Sequence, residues 1–375
     1  MPFPFKAGVL SIVLLLPVLA MAQSSSTSTN GSSPGALSTA VPFLTITPDA
    51  RSGAMGEAGV ALSPDVNATY WNPAKLAFID DGDVVAASYS PWLRNLVPDI
   101  SLSYLSYAHK LDDRNSIGVS LRYFNIGTVA LTDVNGNSEG NFSPAEFSLD
   151  GSFARKFGDN FSLGLTLRYI HSNLSNGSAS SPTEGEKAGN AVAADVSFYY
   201  KNPTQEFGTD AEFAAGVDIS NIGSKISYST TGPTYFLPAN LKVGIANTWN
   251  LDEVNKLTFA LDLNKLLVPT SSNSDVSVPA GIFQSFSDAG ASEEFKEIYY
   301  SAGLEYWYND VFALRGGYYY ENPSLGDREY LTLGVGVKYE QFRFDFSYLA
   351  GSVQNSPLAN TLRFTLSASF GGTRQ

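Results

Sequence analysis

Phe161-Ser162-Leu163-Gly164-Leu165-Thr166-Leu167-Arg168-Tyr169 is the stretch that decides the fold. Phe161, Leu163, Leu165, Leu167 and Tyr169 fall on one side of an extended chain, and Ser162, Gly164, Thr166 and Arg168 on the other. A period of two marks a strand with one apolar and one polar face. The same reading applies to Leu362, Phe364, Leu366, Ala368 and Phe370, interleaved with Arg363, Thr365, Ser367 and Ser369. It applies again to Leu331, Leu333, Val335, Val337 and Tyr339, and to Phe342, Phe344, Phe346 and Tyr348.

Working outward, the alternation predicts fourteen strands, near 83–91, 99–110, 115–127, 145–156, 161–171, 190–200, 211–221, 239–250, 256–266, 298–308, 311–320, 330–339, 342–350 and 361–370. Most suit a tilted membrane crossing, which takes about 9–11 residues. The connections after the second, fourth, eighth, tenth and twelfth strands are short: Asp112-Asp113-Arg114, Gly158-Asp159-Asn160, Leu251 to Asn255, Asn309-Asp310 and Glu340-Gln341. Those after the third, fifth, seventh and ninth are long, up to Leu267–Glu297. Short periplasmic turns alternating with longer extracellular loops characterise outer-membrane barrels. The expectation is therefore an all-β membrane protein, a 14-stranded antiparallel transmembrane β-barrel with both termini periplasmic. Lys201 to Asp210 fits less well, being long for a periplasmic turn.

Composition agrees. Of 375 residues only 16% are charged and 13% are aromatic, with 20 Tyr and 24 Phe. A soluble chain carries about a quarter charged residues. Mean hydropathy is close to zero, as it is when lipid-facing and lumen-facing residues alternate. The absence of cysteine excludes disulfide scaffolds, thiolate nucleophiles and Cys-ligated metal sites. A net charge of −13 disfavours nucleic acid as a partner.

Lys6, the apolar run Ala7–Ala20 and the small-x-small Ala20-Met21-Ala22 predict a cleaved export signal over 1–22. The run is short for a spanning helix, which needs about 20 apolar residues. A Ser/Thr/Asn/Gly-rich stretch follows and is expected to be a flexible tail, 23–43. The barrel takes 83–371. Between them, 44–82 holds Gly53, Met55, Gly56, Gly59, Trp71, Asn72, Pro73 and Ala74. It is too irregular for a strand and too apolar for a linker, and a barrel of this girth has a lumen to fill. The expectation is a hatch or plug inside the barrel.

The polar faces carry Arg122, Asp150, Arg168, Asp195, Asp218, Asp262, Glu305, Arg315, Lys338, Arg343, Asp345 and Arg363. A charge facing lipid at mid-bilayer costs about 2–4 kcal/mol for Arg or Lys, so all are expected in the lumen. They form either a selective permeation path or, the preferred reading, an ion-pair network from wall to plug. Aromatics at strand ends (Tyr89 and Trp92, Tyr199 and Tyr200, Trp249, Tyr306 to Tyr308, Tyr318 to Tyr320) are read as interfacial girdles.

Arg51-Ser52-Gly53-Ala54-Met55-Gly56-Glu57-Ala58-Gly59, followed by Trp71-Asn72-Pro73-Ala74-Lys75-Leu76, resembles the hatch of the FadL-like outer-membrane barrels. Tyr89-Ser90-Pro91-Trp92-Leu93, Val97-Pro98-Asp99, Ser103-Tyr104 and Tyr107-Ala108 resemble the PorV branch of that superfamily, found in Bacteroidetes (the PorV/PorQ branch). The resemblance covers the chain after about Leu37. It implies a non-enzymatic component of the type IX secretion system. Such proteins bind secreted cargo through its C-terminal signal domain and carry it from the translocon to the attachment, sortase-like machinery. Trp92, Leu93, Phe283, Phe286 and Phe295 are the loop residues expected to meet such partners, with outer-membrane lipid around the wall. No cofactor is implied.

Two other functions compete. One is transport of hydrophobic small molecules, as in the fatty-acid branch; the polar inward faces disfavour it. The other is lipid A deacylation. The chain has 2 histidines, His109 and His171, expected at opposite membrane faces, and no Gly-x-Ser-x-Gly elbow. Ingredients for acid–base chemistry are sparse.

Overall fold

In a computed structural model the described residues are 39–371, apart from 94–96, 98, 134, 175–184, 270–275, 352–357 and 359. The expected export signal and the tail as far as residue 38 lie outside them.

Sixteen strands form among the described residues: β1 (Asp83–Pro91), β2 (Ser101–Lys110), β3 (Asn115–Asn125), β4 (Val129–Thr132), β5 (Ser138–Phe142), β6 (Ala145–Lys156), β7 (Phe161–Asn173), β8 (Gly189–Glu206), β9 (Thr209–Gly223), β10 (Asn240–Asn250), β11 (Asn255–Leu266), β12 (Ile298–Tyr308), β13 (Phe312–Tyr320), β14 (Glu329–Tyr339), β15 (Phe342–Gly351) and β16 (Thr361–Phe370). Fourteen of them close into one antiparallel barrel, each beside its neighbour in the chain, with β1 sealing against β16. Around the closed ring every strand is paired on both sides, so backbone donors and acceptors are satisfied within it. The alternation works as the sequence implies. On β7, Leu165 and Leu167 are exposed on the outside, while Ser162, Thr166 and Arg168 are buried inside. No helix among the described residues is long and apolar enough to cross a membrane; the crossing elements are strands.

Two features of the wall depart from the sequence reading. The loop after β3 contains a separate hairpin, β4–β5, whose strands of four and five residues are too short and alternate too little to be recognised. The supposedly long connection from Lys201 to Asp210 is no loop. There β8 and β9 continue to pair down to Glu206 opposite Thr209, turning at Phe207 and Gly208. β8 has already lost its other neighbour, since β7 starts opposite Tyr200. Pro203 therefore stands on a free edge, the place in a sheet where its missing N–H costs nothing.

The aromatic clusters are also divided by the alternation. Tyr200, Tyr308 and Tyr318 face outward and are exposed, whereas Tyr199 and Tyr319 are buried inside. Trp307 is also on the lumen side, between the guanidinium groups of Arg315 and Arg343. Adjacent aromatics in one strand cannot share a face, so a girdle reading of these runs holds for alternate members only.

Two short turns use the same device. Asp112 Oδ1 accepts from the amides of Arg114 and Asn115, and Asp252 Oδ1 from those of Val254 and Asn255. In each the Asn side chain donates back to the Asp. These bonds favour the ionised form and hold both carboxyls below the usual carboxylate range.

The largest buried apolar cluster is not within the wall. Met55, Ala61, Leu62, Val66, Leu76 and Phe78 pack against Ala86, Ala108, Ala154, Ala214, Ala246 and Ala260 on inward strand faces. Small residues on the wall leave space for the chain they surround. That chain contains a 3-10 turn at Pro42–Thr45, α1 (Ala50–Ala54), α2 (Ala68–Trp71) and a second 3-10 turn at Pro73–Phe78. Its ordered part begins earlier than residue 44. Val41, Phe43 and Leu44 are buried with Ile170, Ala191, Ile226 and Leu237. The flexible tail expected over 23–43 is thus corrected for 41–43, where a short apolar run finds a place to be buried.

Candidate functional site

The segment from Val41 to Ile79 meets inward-facing residues on strands from all around the barrel. Arg51 donates from Nε and Nη2 to the two carboxylate oxygens of Glu305 on β12, at 3.0 and 2.7 Å. It also reaches Asp65 at 3.0 Å and the backbone oxygen of Ser63. Glu305 is bound in turn by Arg315 on β13, which holds Asp345 on β15 at 2.8 Å. On another side, the amides of Gly59 and Val60 both donate to Asp262 Oδ2 on β11. Arg363 on β16 donates to Glu57 at 2.8 Å.

The Asn-Pro-Ala turn is held just as firmly. Asn72 Oδ1 accepts from Ala74 N, while Nδ2 donates to the backbone oxygens of Val60 and of Phe198 on β8. Ala74 N donates to Ser197 Oγ, and Ser162 Oγ donates to Ala74 O. Pro73 opens the 3-10 turn, where its lack of an N–H is harmless. Trp71 donates its ring N–H to Asp49, which also caps α1 through Ser52 N. Gly59 lies flat against the Trp71 ring, leaving no room for a Cβ.

Gly56 has a φ of +67°, and a Cβ there would stand 2.5 Å from the backbone N of Tyr318. Gly317 on β13 faces it without a side chain, so two backbones touch. Met55 and Gly53 complete the group; a Cβ on Gly53 would strike Arg363. The eight residues singled out in the sequence are therefore brought together with the wall. Arg51 and Glu57 belong with them as polar ties to the wall, and Asp49 and Lys75 brace the segment internally, Lys75 Nζ donating to Gly59 O. Arg51 stands at the head of the quoted motif, and its charge in an otherwise small-residue run was the available signal.

Most of the lumen charges form two paired networks. Besides Arg51–Glu305–Arg315–Asp345, Arg168 binds Asp150 at 2.7 Å and Asp195 at 2.8 Å, and Asn221 also accepts from it. Arg122 is different. Its Nη1 donates to Leu44 O at 2.7 Å, and its guanidinium lies 4.5 Å from the centre of the Tyr70 ring. Its hydrogen bonds among the described residues go to lumen-segment carbonyls and not to a carboxylate, with the rings of Tyr70 and of Tyr104 on β2 beside it, which charge counting alone does not reveal.

A polar cavity flanks the segment at each end of the barrel. At the short-turn end, one of about 530 Å³ is lined by Arg51, Asp65, Lys201, Lys338 and Arg343 among others. At the long-loop end, one of about 40 Å³ lies beside Tyr70, Trp71, Asn240 and Tyr319.

The loop residues are not gathered into one place. Trp92 and Leu93 follow β1, with Trp92 5.9 Å from the Arg363 guanidinium. Phe283, Phe286 and Phe295 lie in the insertion between β11 and β12, which contains α3 (Val278–Gln284) and α4 (Ala291–Lys296). Four strands, β13 to β16, separate the groups around the wall. Phe283 is 77% exposed and Phe295 69%.

The histidines stand at opposite ends. His109 Nδ1 pairs with Asp83, and Tyr107 donates to the same oxygen. His171 Nδ1 meets Asn190, which likewise accepts from a tyrosine, Tyr169. Neither arrangement joins a nucleophile to a base.

This barrel, with a chain segment anchored across its lumen, can be set beside known proteins. The family description of the Type IX secretion system protein PorV matches residues 29–273. The chain belongs to the PorV family. No curated protein sequence matches it. Solved structures similar to this PorV-family chain include the Pseudomonas putida toluene transporter TodX, at 15% identity and a TM-score of 0.47, covering 85% of this chain and 96% of that one. The Ralstonia pickettii toluene transporter TbuX has 13% identity and a TM-score of 0.47, covering 86% and 98%. A Pseudomonas aeruginosa FadL homologue has 15% identity and a TM-score of 0.42, covering 90% and 99%. Family and fold together make this an outer-membrane β-barrel.

Proposed function

We propose that this PorV-family barrel is a non-conducting docking component of type IX protein secretion. It holds secreted cargo by a C-terminal signal domain and passes it from the translocon to the attachment complex. The observation that carries this is the lumen segment, tied to β8, β11, β12 and β16 by buried hydrogen bonds and ion pairs. A barrel so filled works through its rim, and Gly53, Met55, Gly56, Gly59 and Trp71 to Ala74 serve as the hatch. The long-loop end faces outward and both termini the periplasm. At that end the phenylalanines of the α3–α4 insertion are exposed and Trp92 and Leu93 half-buried, apolar and aromatic groups of the type that anchors protein interfaces.

The test is purification of the full chain from its native outer membrane in mild detergent. Co-purification of secreted proteins sharing a C-terminal domain supports docking. A barrel recovered alone from actively secreting cells contradicts it.

A second reading is carriage of hydrophobic small molecules, the activity named for the toluene transporters TodX and TbuX. One feature favours it: a cavity lies on either side of the lumen segment, so movement of that segment would join them. Their polar linings favour docking instead. An uptake defect for a hydrophobic solute on deletion, with secretion intact, would decide for carriage.

A further inference from the structure

The α3–α4 insertion does not only crown the barrel; part of it folds back against the outside of the wall. The marker is Lys265. On β11 the outward positions include Phe259, Leu263 and Lys265, so Lys265 points toward lipid at the long-loop end of the strand. Yet it is buried, because α4 and the residue after it cover it: its ammonium binds Glu294 at 2.9 Å and also pairs with Glu297. Between α4 and the wall lies an apolar cavity of about 320 Å³, lined by Leu241, Val243, Leu263, Phe286, Phe295 and Ile298.

Leu241, Val243 and Leu263 belong to the same outward faces that form the lipid belt, and Val243 pairs directly with Leu263 across β10 and β11. The cavity is thus a continuation of the bilayer surface, roofed by a loop helix. At its rim the Lys265 ammonium is already engaged by two carboxylates, Glu294 and Glu297, leaving a net negative charge, so the recognition it offers is for an apolar chain and not for an anionic headgroup. Phe295, in the roof, also extends into solvent-exposed space, as aromatic residues do on segments lying in a membrane interface.

We propose that this cavity holds an acyl chain of an outer-leaflet lipid, with α4 seated in the leaflet as an anchor, so that Phe286 and Phe295 meet lipid while Trp92, Leu93 and Phe283 remain for a protein partner. The leaflet named rests on the orientation proposed above; the acyl site itself does not.

The full chain in mild detergent, given an equimolar diazirine-acyl phospholipid and irradiated, tests the site without reference to orientation. Label is expected to concentrate in peptides carrying Leu241–Val243 and Phe286–Phe295. Val243→Trp, which fills the cavity from a lipid-facing position, should reduce that label at least about five-fold while labelling elsewhere is unchanged. Phe295→Ser, in the roof, should do the same if the tryptophan variant folds poorly. Label spread evenly over the outward faces and indifferent to both substitutions would overturn the proposal. So would a co-purifying protein that occupies this face in place of lipid.

Discussion

Arg51 in the lumen segment and Glu305 on β12 form a buried two-bond pair, with guanidinium nitrogens 3.0 and 2.7 Å from the two carboxylate oxygens. The residues are 254 positions apart, and their pairing links α1 to β12. Burying such a pair is not itself a large gain, but leaving one half behind is expensive. Arg51→Ala should therefore destabilise the folded protein by about 3–5 kcal/mol, with Glu305→Gln also destabilising. Urea unfolding in detergent, run as a double-mutant cycle with Arg51→Ala/Glu305→Gln, should give clear coupling. Additive effects would mean that the pair holds nothing.

Gly56 and Gly317 test a different kind of fit. Their backbones touch, and Gly56 is in the left-handed region. Gly317→Ala should push the lumen segment off β13 and expose it to limited proteolysis from the short-turn end. Gly151→Ala, with nothing within 4 Å of its added Cβ, is the matched control and should leave the digest unchanged.

Asn72 anchors the Asn-Pro-Ala turn through bonds to Ala74, Val60 and Phe198. Asn72→Ala leaves buried backbone groups unpaired, a loss of about 1–3 kcal/mol. Hydrogen exchange should quicken at Ala74 and spread to Gly59 and Val60 before the wall strands respond. Uniform exchange across segment and wall would show that they open as one unit.

The turn carboxyls of Asp112 and Asp252 give a pH dependence of known sign. Both are held below the usual carboxylate range by hydrogen bonds, so their contribution is full at neutral pH. It is lost as pH falls through the depressed value. The protection factors of the Val254 and Asn255 amides, measured against the intrinsic exchange rate at each pH, should fall on acidification in the wild type. In Asp252→Asn the same amides should be less sensitive to pH.

The wall was legible because its signal is local. Fourteen alternating runs identify themselves residue by residue, as Phe161 to Tyr169 does, without knowledge of their partners. β4–β5 was missed because Ser138–Phe142 has almost no apolar alternation, and the ends of β8 and β9 because Pro203 reads as a break. The lumen segment was legible as a motif but not as a set of contacts. Nothing near Asn72 in sequence points to Phe198, and nothing near Arg122 points to the carbonyl of Leu44. The run Val41 to Leu44 is hidden in the sequence by its polar neighbours, although Val41, Phe43 and Leu44 are all buried in the fold. Loop phenylalanines 283, 286 and 295 stand out by exposure, but only the fold shows that Phe286 and Phe295 border the outer wall.

A filled lumen is the physical basis of the docking account, and conductance measures it most directly. Full-length protein reconstituted in a planar bilayer should show no sustained ohmic current, and Arg51→Ala should introduce intermittent openings. A steady, wild-type pore current that Arg51→Ala leaves unchanged would contradict the account.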